Sequence, residues 1–304
     1  MAKTDKTIKI NNKKIELSNT SKEFFPGAGL SKEDVVQYYQ KMWKYAADYI
    51  ADRPMVLQRF PDGVKGKGFY QKQTPDYFPK WISTIKVKNK KDNAKDDLVN
   101  CKNKQTLVYL ANQGILTMHV WLSKKHNLKK PDRAVFDFDP SDDDFRKVRK
   151  AAKAIKKLTD KHKIPLYVMT TGSKGLHAII PLKPQKKFET IRKISRNIAQ
   201  QMVDKNPDIF TLETTKKKRG NKVFIDYLRN SYAQTTVMPF SIRARKGAPV
   251  AVPLSWDEVG KKSLNPQKYT VKNVFRRVKR KKDPWKDLHK SAIDFKTFSK
   301  LKKD

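Results

Sequence analysis

The segment Ala134-Val135-Phe136-Asp137-Phe138-Asp139-Pro140 constrains this chain more than any other. Side chains on a strand alternate between faces. As a strand, the segment turns Phe136 and Phe138 to one side, where they need a core, and Asp137 and Asp139 to the other. The two carboxylates then stand about 7 Å apart along the strand. They repel each other unless a cation intervenes, and their oxygens suit a hard ion such as Mg2+ or Mn2+. A solvated strand face is the plainer alternative, because D-x-D is a short motif.

Val223-Phe224-Ile225-Asp226-Tyr227-Leu228 places a single acid inside an otherwise apolar strand. A buried carboxylate is costly without a partner, so Asp226 requires a metal, an arginine or a lysine. Arg229 is near enough in sequence to be that partner. Three acids at two separated positions also fit a two-metal arrangement, in which one ion activates an attacking oxygen and the other steadies a leaving group.

A third feature is Thr170-Thr171-Gly172-Ser173-Lys174-Gly175-Leu176-His177. Gly172 and Gly175 free the backbone to wrap an anion, with charge from Lys174 and hydroxyls from Thr171 and Ser173. The glycine spacing and the following strand set it apart from a Walker loop. A hairpin turn with ordinary polar residues is the competing reading. His177 leaves this loop as a phosphate ligand or as a satisfied histidine. His119, read alone, is more often a core or surface histidine. Arg243 and Arg245 lie on one side of an extended segment, as a phosphate clamp or as a solvated face. Phe69 and Tyr70 with Lys72 nearby suit base stacking, although core packing is the commoner fate of such aromatics.

Periodicity supplies the frame for these sites. Residues 1–17 read as an edge strand or an arm. Ser31 and Asp34 form a capping box for a helix over 32–50. Strands are expected near 53–60, 68–73, 115–121, 134–139, 165–170, 177–182 and 222–228, and helices at 106–113 and 188–204. Ser141 is the expected cap of another helix, with Asp142, Asp143 and Asp144 in its first turn. The stretch 87–105 reads as an exposed loop. Strands and helices mix without strict βαβ alternation, which predicts an α+β fold with largely antiparallel or mixed sheets flanked by helices. Neither an internal repeat nor a clean linker appears, so one domain over 1–304, with two sub-modules, is expected.

Of the 304 residues, 69 are Lys or Arg and 30 are Asp or Glu, a formal charge of +39. That excess is spread along the chain, and it points to a polyanionic partner, nucleic acid before an anionic membrane. A solubility adaptation is the plain alternative. No apolar run is long enough to span a bilayer and the start lacks a signal peptide's apolar core. The single cysteine, Cys101, excludes an intrachain disulfide and suits a reducing cytoplasm.

Taken in order, these segments resemble the polymerase domain of bacterial and archaeal DNA ligase D, within the archaeo-eukaryotic primase superfamily. The resemblance runs through Ser18-Asn19-Thr20-Ser21-Lys22, Asp52-Arg53-Pro54, Pro61-Asp62-Gly63 and Gly68-Phe69-Tyr70-Gln71-Lys72. It continues through Met118-His119-Val120-Trp121, Pro131-Asp132-Arg133, Asp137-Phe138-Asp139-Pro140, the Gly172–His177 loop, Phe224-Ile225-Asp226-Tyr227-Leu228-Arg229-Asn230, Gln234-Thr235, Ser241-Ile242-Arg243-Ala244-Arg245 and Pro253-Leu254-Ser255-Trp256. It covers about Ser18 to Gly260, leaving 261–304 as a basic extension that it does not explain.

The resemblance implies that Asp137, Asp139 and Asp226 bind two Mn2+ or Mg2+ ions. It implies that Thr171, Gly172, Ser173, Lys174, Gly175, His177, Gln234 and Arg243, with His119, receive the incoming nucleotide. Asn19, Lys22 and Lys32 would take the 5′-phosphate of a DNA break, and Phe69 and Tyr70 would stack on a templating base. Template-directed addition at DNA ends or gaps follows, with NTP or dNTP substrates, ribonucleotides favoured, and Ku and a separate ligase as partners in a nucleoid-associated, cytoplasmic setting. The loop departs from the family's usual Ser-Gly-Gly-Lys-Gly, with Thr171 at the serine and Ser173 at the second glycine. Rival readings are a primase that starts chains de novo, a non-catalytic module for DNA ends, and a nuclease.

Overall fold

A computed structural model of the chain describes residues 4–88 and 94–303. They divide into two compact units, one of Met1–Trp121, Val237–Val250 and Thr270–Lys272, the other of Leu122–Thr236, Ala251–Tyr269 and Asn273–Asp304.

In the first unit the N-terminal alternation folds as an antiparallel hairpin, β1 (Thr4–Ile10) and β2 (Lys13–Ser18). Two short strands, β3 (Glu23–Phe25) and β4 (Leu30–Ser31), lead into α1 (Lys32–Ile50). The expected capping box is present, with Asp34 N–H donating to Ser31 Oγ and Ser31 N–H to the Asp34 carboxylate. The buried stripe of α1 carries Tyr38 and Tyr39, whose hydroxyls donate to Phe240 O at 2.9 Å and Leu116 O at 2.5 Å. Those bonds satisfy the polar tips that burial would otherwise strand. Behind this helix β5 (Met55–Arg59) pairs antiparallel with β6 (Phe69–Gln71) on one side and β9 (Ile115–Trp121) on the other.

The stretch expected to be an exposed loop from 87 to 105 is in fact largely structured. β7 (Thr84–Lys88) pairs with β8 (Lys95–Val99), and α2 (Lys104–Asn112) follows with Asn103 as its cap. The hairpin buries Ile85, Val87, Leu98 and Val99 while Lys86 faces Asp97 across the strands. Opposite charges directly across a ladder are favourable, so a Lys/Asp-rich segment can be a strand when its apolar residues alternate. Residues 89–93 of that expectation lie outside the described residues.

The second unit is built on a sheet ordered β13-β14-β10-β12-β11-β16. Its strands are β10 (Arg133–Pro140), β11 (Tyr167–Thr170), β12 (Leu176–Pro181), β13 (Phe210–Thr211), β14 (Val223–Asp226) and β16 (Pro253–Leu254); β15 (Thr235–Val237) carries the chain back to the first unit. Within this sheet β13 and β14 pair in parallel and the other neighbours pair antiparallel. Helices α3 (Phe145–Lys161) and α4 (Phe188–Lys205) supply apolar faces to this sheet. Ser141 is not the cap of α3: Asp144 caps it, accepting from Arg146 N–H at 2.9 Å. Asp142 and Asp143 therefore precede the helix, because β10 runs on through Pro140 and the turn needs the intervening residues.

After α5 (Trp256–Gly260), the basic C-terminal stretch folds into this unit as α6 (Val274–Arg280) and α7 (Phe295–Lys300) with their connections, apart from Thr270–Lys272, which belongs to the first unit. Trp285 is buried and its indole N–H donates to Val168 O at 3.1 Å. Arg277 turns inward onto Glu258 with Nη2 2.7 Å from Oε2. The architecture is α+β with largely antiparallel sheets. Among the described residues, no helix is long and apolar enough to cross a membrane.

Candidate active site

Strand register assembles the acids. Asp137 on β10 stands opposite Asp226 on β14 and opposite His177 on β12. Directly opposed residues share a face with Cβ atoms about 5 Å apart, so the order Asp226, Asp137, His177 forms a row across three adjacent strands. Asp139 lies one pleat further along β10, beside Phe224. The alternation expected from sequence holds: Phe136 and Phe138 are fully buried while Asp137 and Asp139 are half-buried.

Two arginines supply counter-charge. Arg229 Nε lies 3.1 Å from Asp226 Oδ2 and 3.5 Å from Asp137 Oδ2. The alternative in which Arg229 partners Asp226 is therefore realised, and it extends to Asp137. Arg219, which the sequence reading did not single out, places Nη1 3.2 Å from Asp139 Oδ2. It also donates to Glu213 O and Thr214 O, and its guanidinium lies 4.0 Å above the Phe224 ring. It sits at the end of the Lys216-Lys217-Lys218 run, where sequence alone shows only another solvated cation.

These partners do not fully compensate the acids. Burial, and then the charge of Asp137, push the Asp139 carboxyl above its ordinary pKa despite Arg219. Burial pushes Asp226 up as well, against the pull of Arg229 and with the help of Asp137. Burial opposes the charge on Arg229, but Asp137 and Asp226 outweigh it and hold that pKa above its ordinary value. His177 Nε2 approaches Asp137 Oδ1 at 3.4 Å. Among the described residues no three His, Cys, Asp or Glu side chains are already drawn together as a metal cluster. The donor set is nevertheless hard oxygen, on one face, and carries more negative charge than its arginines quench, which is the chemistry a divalent cation fits.

The loop between β11 and β12 is locked by Thr171. Its hydroxyl accepts from Gly175 N–H at 3.2 Å and Ser173 N–H at 3.3 Å, and donates to Gly175 O at 3.1 Å. Gly172 has φ +64°, and a Cβ on Gly175 would come within 2.0 Å of Phe138 O. Gly175 is thus the residue that lets the loop lie against the acid-bearing strand. Lys174 extends from the tip to Asp143 at 3.0 Å, a pair in which Asp143 is 93% exposed. Gln234 is exposed on the turn after Asn230, with its N–H donating to Ser231 O.

The remaining predicted residues belong to the first unit. Lys32 is buried, donates to Ser18 O at 2.5 Å, and has its pKa lowered to about 8 by burial and then by Lys22. Lys22 pairs with Asp62, and Asn19 holds the intervening turn at φ +51°. Phe69 and Tyr70, both exposed, fall on opposite faces of β6: Tyr70 opposes Gln58 and lies 6.1 Å from the His119 ring, while Phe69 opposes Arg59. Lys72 is exposed just beyond β6. Arg243 is half-buried, its N–H donating to Pro249 O at 2.8 Å.

Comparison with known proteins gives a consistent result. The family model described as "LigD, primase-polymerase domain" matches residues 31–285. The bifunctional non-homologous end joining protein LigD of Bacillus subtilis is 31% identical over 92% of this chain and 45% of its own length. The multifunctional LigD of Mycolicibacterium smegmatis is 30% identical over 83% of this chain and 33% of its own. The chain thus spans less than half the length of the curated relatives it matches. Among solved structures, the polymerase domain from Mycobacterium tuberculosis ligase D in complex with DNA superposes with a TM-score of 0.84 at 27% identity, covering 92% of this chain and 99% of that one.

Proposed function

The chain belongs to the LigD primase-polymerase family of DNA-directed nucleotidyltransferases, and we propose that it extends or fills DNA ends during non-homologous end joining. The observation that carries this reading is the Asp226, Asp137, His177 row with Asp139 beside it. A non-catalytic DNA binder gains nothing from under-compensated carboxylates facing phosphates.

In this reading Asp137, Asp139 and Asp226 hold two Mn2+ or Mg2+ ions. Such ions, when bound, neutralise charge around the α-phosphate and support in-line attack by a primer 3′-hydroxyl. Arg229 and Arg219 keep the three acids charged and aimed at one face. Lys174 reaches the triphosphate readily, because an exposed ion pair such as Lys174–Asp143 is worth about 0–1 kcal/mol. Thr171 maintains the loop from which Ser173 and Lys174 present their side chains, with His177 and Gln234 of the same unit as further nucleotide contacts; the family resemblance gives His119 and Arg243 of the first unit a nucleotide role as well. Asn19, Lys22 and Lys32 receive a 5′-phosphate: a buried lysine with a lowered pKa gains a stable charge when an anion arrives. Tyr70 stacks on the templating base from the face it shares with His119, and Phe69 serves the opposite face. Ribonucleotides are favoured, and Ku and a DNA ligase activity complete the reaction.

Extension of a gapped, 5′-phosphorylated substrate with Mn2+ tests this, with ribo- and deoxynucleotides in parallel. Templated addition that weakens when the 5′-phosphate is removed is expected. Absence of addition with either metal sinks the assignment.

A further inference from the structure

The second unit has another concave site, of about 370 Å3, where β10 begins and β12 ends. We propose that it binds a nucleoside 5′-phosphate, either free or at the end of a nucleic-acid strand. It is separate from the carboxylate row: Arg133 in its lining precedes Asp137 by four residues on β10, about 13 Å by strand rise.

Charge and shape carry the assignment. Lys124, Lys130, Lys183 and Arg133 line the pocket, against a single acid, Asp132, which lies 3.4 Å from Arg133 Nε. Arg133 is 4% exposed, so its planar guanidinium is part of a built wall. Its charge stands behind that wall with Nε turned to Asp132, while the lysines at the mouth offer point charge to a phosphate. Exposed Pro184, backed by the buried Leu182, Leu288 and Pro181, gives the mouth an apolar edge that suits the face of a base. Asn127 brings an amide with both donor and acceptor for a base edge. The volume falls in the range of about 300–1,000 Å3 typical of small-molecule sites. One nucleotide fits that enclosure better than an extended acidic peptide.

The C-terminal extension builds one wall. Ile293 N–H donates to Pro181 O at 3.1 Å and Lys183 N–H to Ile293 O at 2.8 Å. This pairing sets Leu288 and Ala292 against the mouth. The stretch that sequence left unexplained thus completes a site that β10 and β12 only begin.

Calorimetric titration of the full chain with AMP tests the proposal, without divalent ions and at about 0.2 M salt so that diffuse attraction is screened. Single-site binding is expected to survive in an Asp137→Asn/Asp139→Asn variant. It should weaken at least tenfold in Lys130→Glu/Lys183→Glu and likewise in Ala292→Phe, which fills the cavity without changing charge. A 5′-phosphorylated dinucleotide separates the sources: its competition with AMP marks a strand end, and its failure to compete beside retained AMP binding marks the free nucleotide. The proposal is overturned if AMP does not bind, if binding disappears in the aspartate variant, or if both pocket variants bind normally. Displacement of AMP by an oligoglutamate peptide with equal affinity also overturns it.

Discussion

Glu258 and Asp226 are both buried acids of the second unit, each facing an arginine, and their proton affinities move in opposite directions. Burial works to raise the pKa of Glu258, but hydrogen bonds from Arg277 and Ser255 N–H, joined by Tyr269, pull it down to about 2. Its oxygens accept from Arg277 at 2.9 and 2.7 Å, from Tyr269 at 2.9 Å and from Ser255 N–H at 3.0 Å. Asp226 has the Arg229 guanidinium and backbone bonds from Leu228 N–H, at 2.9 Å, and Arg229 N–H, and it shares that guanidinium with Asp137. The same carboxylate–guanidinium pairing is thus fully satisfied in one place and rationed in the other. A saturated carboxylate closes a fold, whereas a row of carboxylates short of counter-charge is ready to take up a cation.

The sharpest way to break this comparison is to remove the under-compensated charges. Asp137→Asn/Asp139→Asn should lower primer extension by on the order of 10^3, since metal charge stabilisation is worth several kcal/mol. Its unfolding midpoint in urea should stay level or rise. The sign follows from Asp139: its folded pKa is raised, so its stabilising contribution is lost as pH rises through that value and neutral pH leaves a burden. Marked destabilisation of the variant would contradict the contrast.

Glu258→Gln should do the reverse. Breaking one side of a buried pair costs about 3–5 kcal/mol, read as a lower urea midpoint, with extension per folded molecule unchanged. The same acid sets a pH window. Because its folded pKa lies below the ordinary 4.5, its stabilisation is complete above that value and fades as pH falls toward 2. Acid unfolding of Glu258→Gln should therefore be shallower across that interval. A smaller effect belongs to Lys32. With its pKa lowered to about 8, the preference for 5′-phosphorylated over 5′-hydroxyl gaps should weaken several-fold as pH rises from 7 to 9, and less so in Lys32→Arg.

The two clusters also differ in how far sequence exposed them. Asp137 and Asp139 were legible because strand alternation is local, and Asp226 because one acid interrupts an apolar run. Their meeting depends on long-range register, which no local pattern encodes. Arg219 was hidden in a lysine run, and Arg277 in the Arg276–Lys282 run, where one inward cation among outward ones leaves no periodic mark. The hairpin at 84–99 was missed because alternating charges hid its apolar positions, and the cap of α3 because three consecutive acids follow a serine. The folding of the C-terminal extension rests on isolated anchors such as Trp285, Leu288 and Phe298, too widely spaced to outweigh its lysines.

The central claim is that the acid row is an under-compensated site that accepts divalent cations. Titration with Mn2+, following the signal of the free ion by electron paramagnetic resonance, tests it most directly. The account predicts that the wild-type chain depletes free Mn2+ saturably and that Asp137→Asn/Asp139→Asn, folded and equally stable, does not. Equal depletion by both proteins, or none by the wild type, would contradict it.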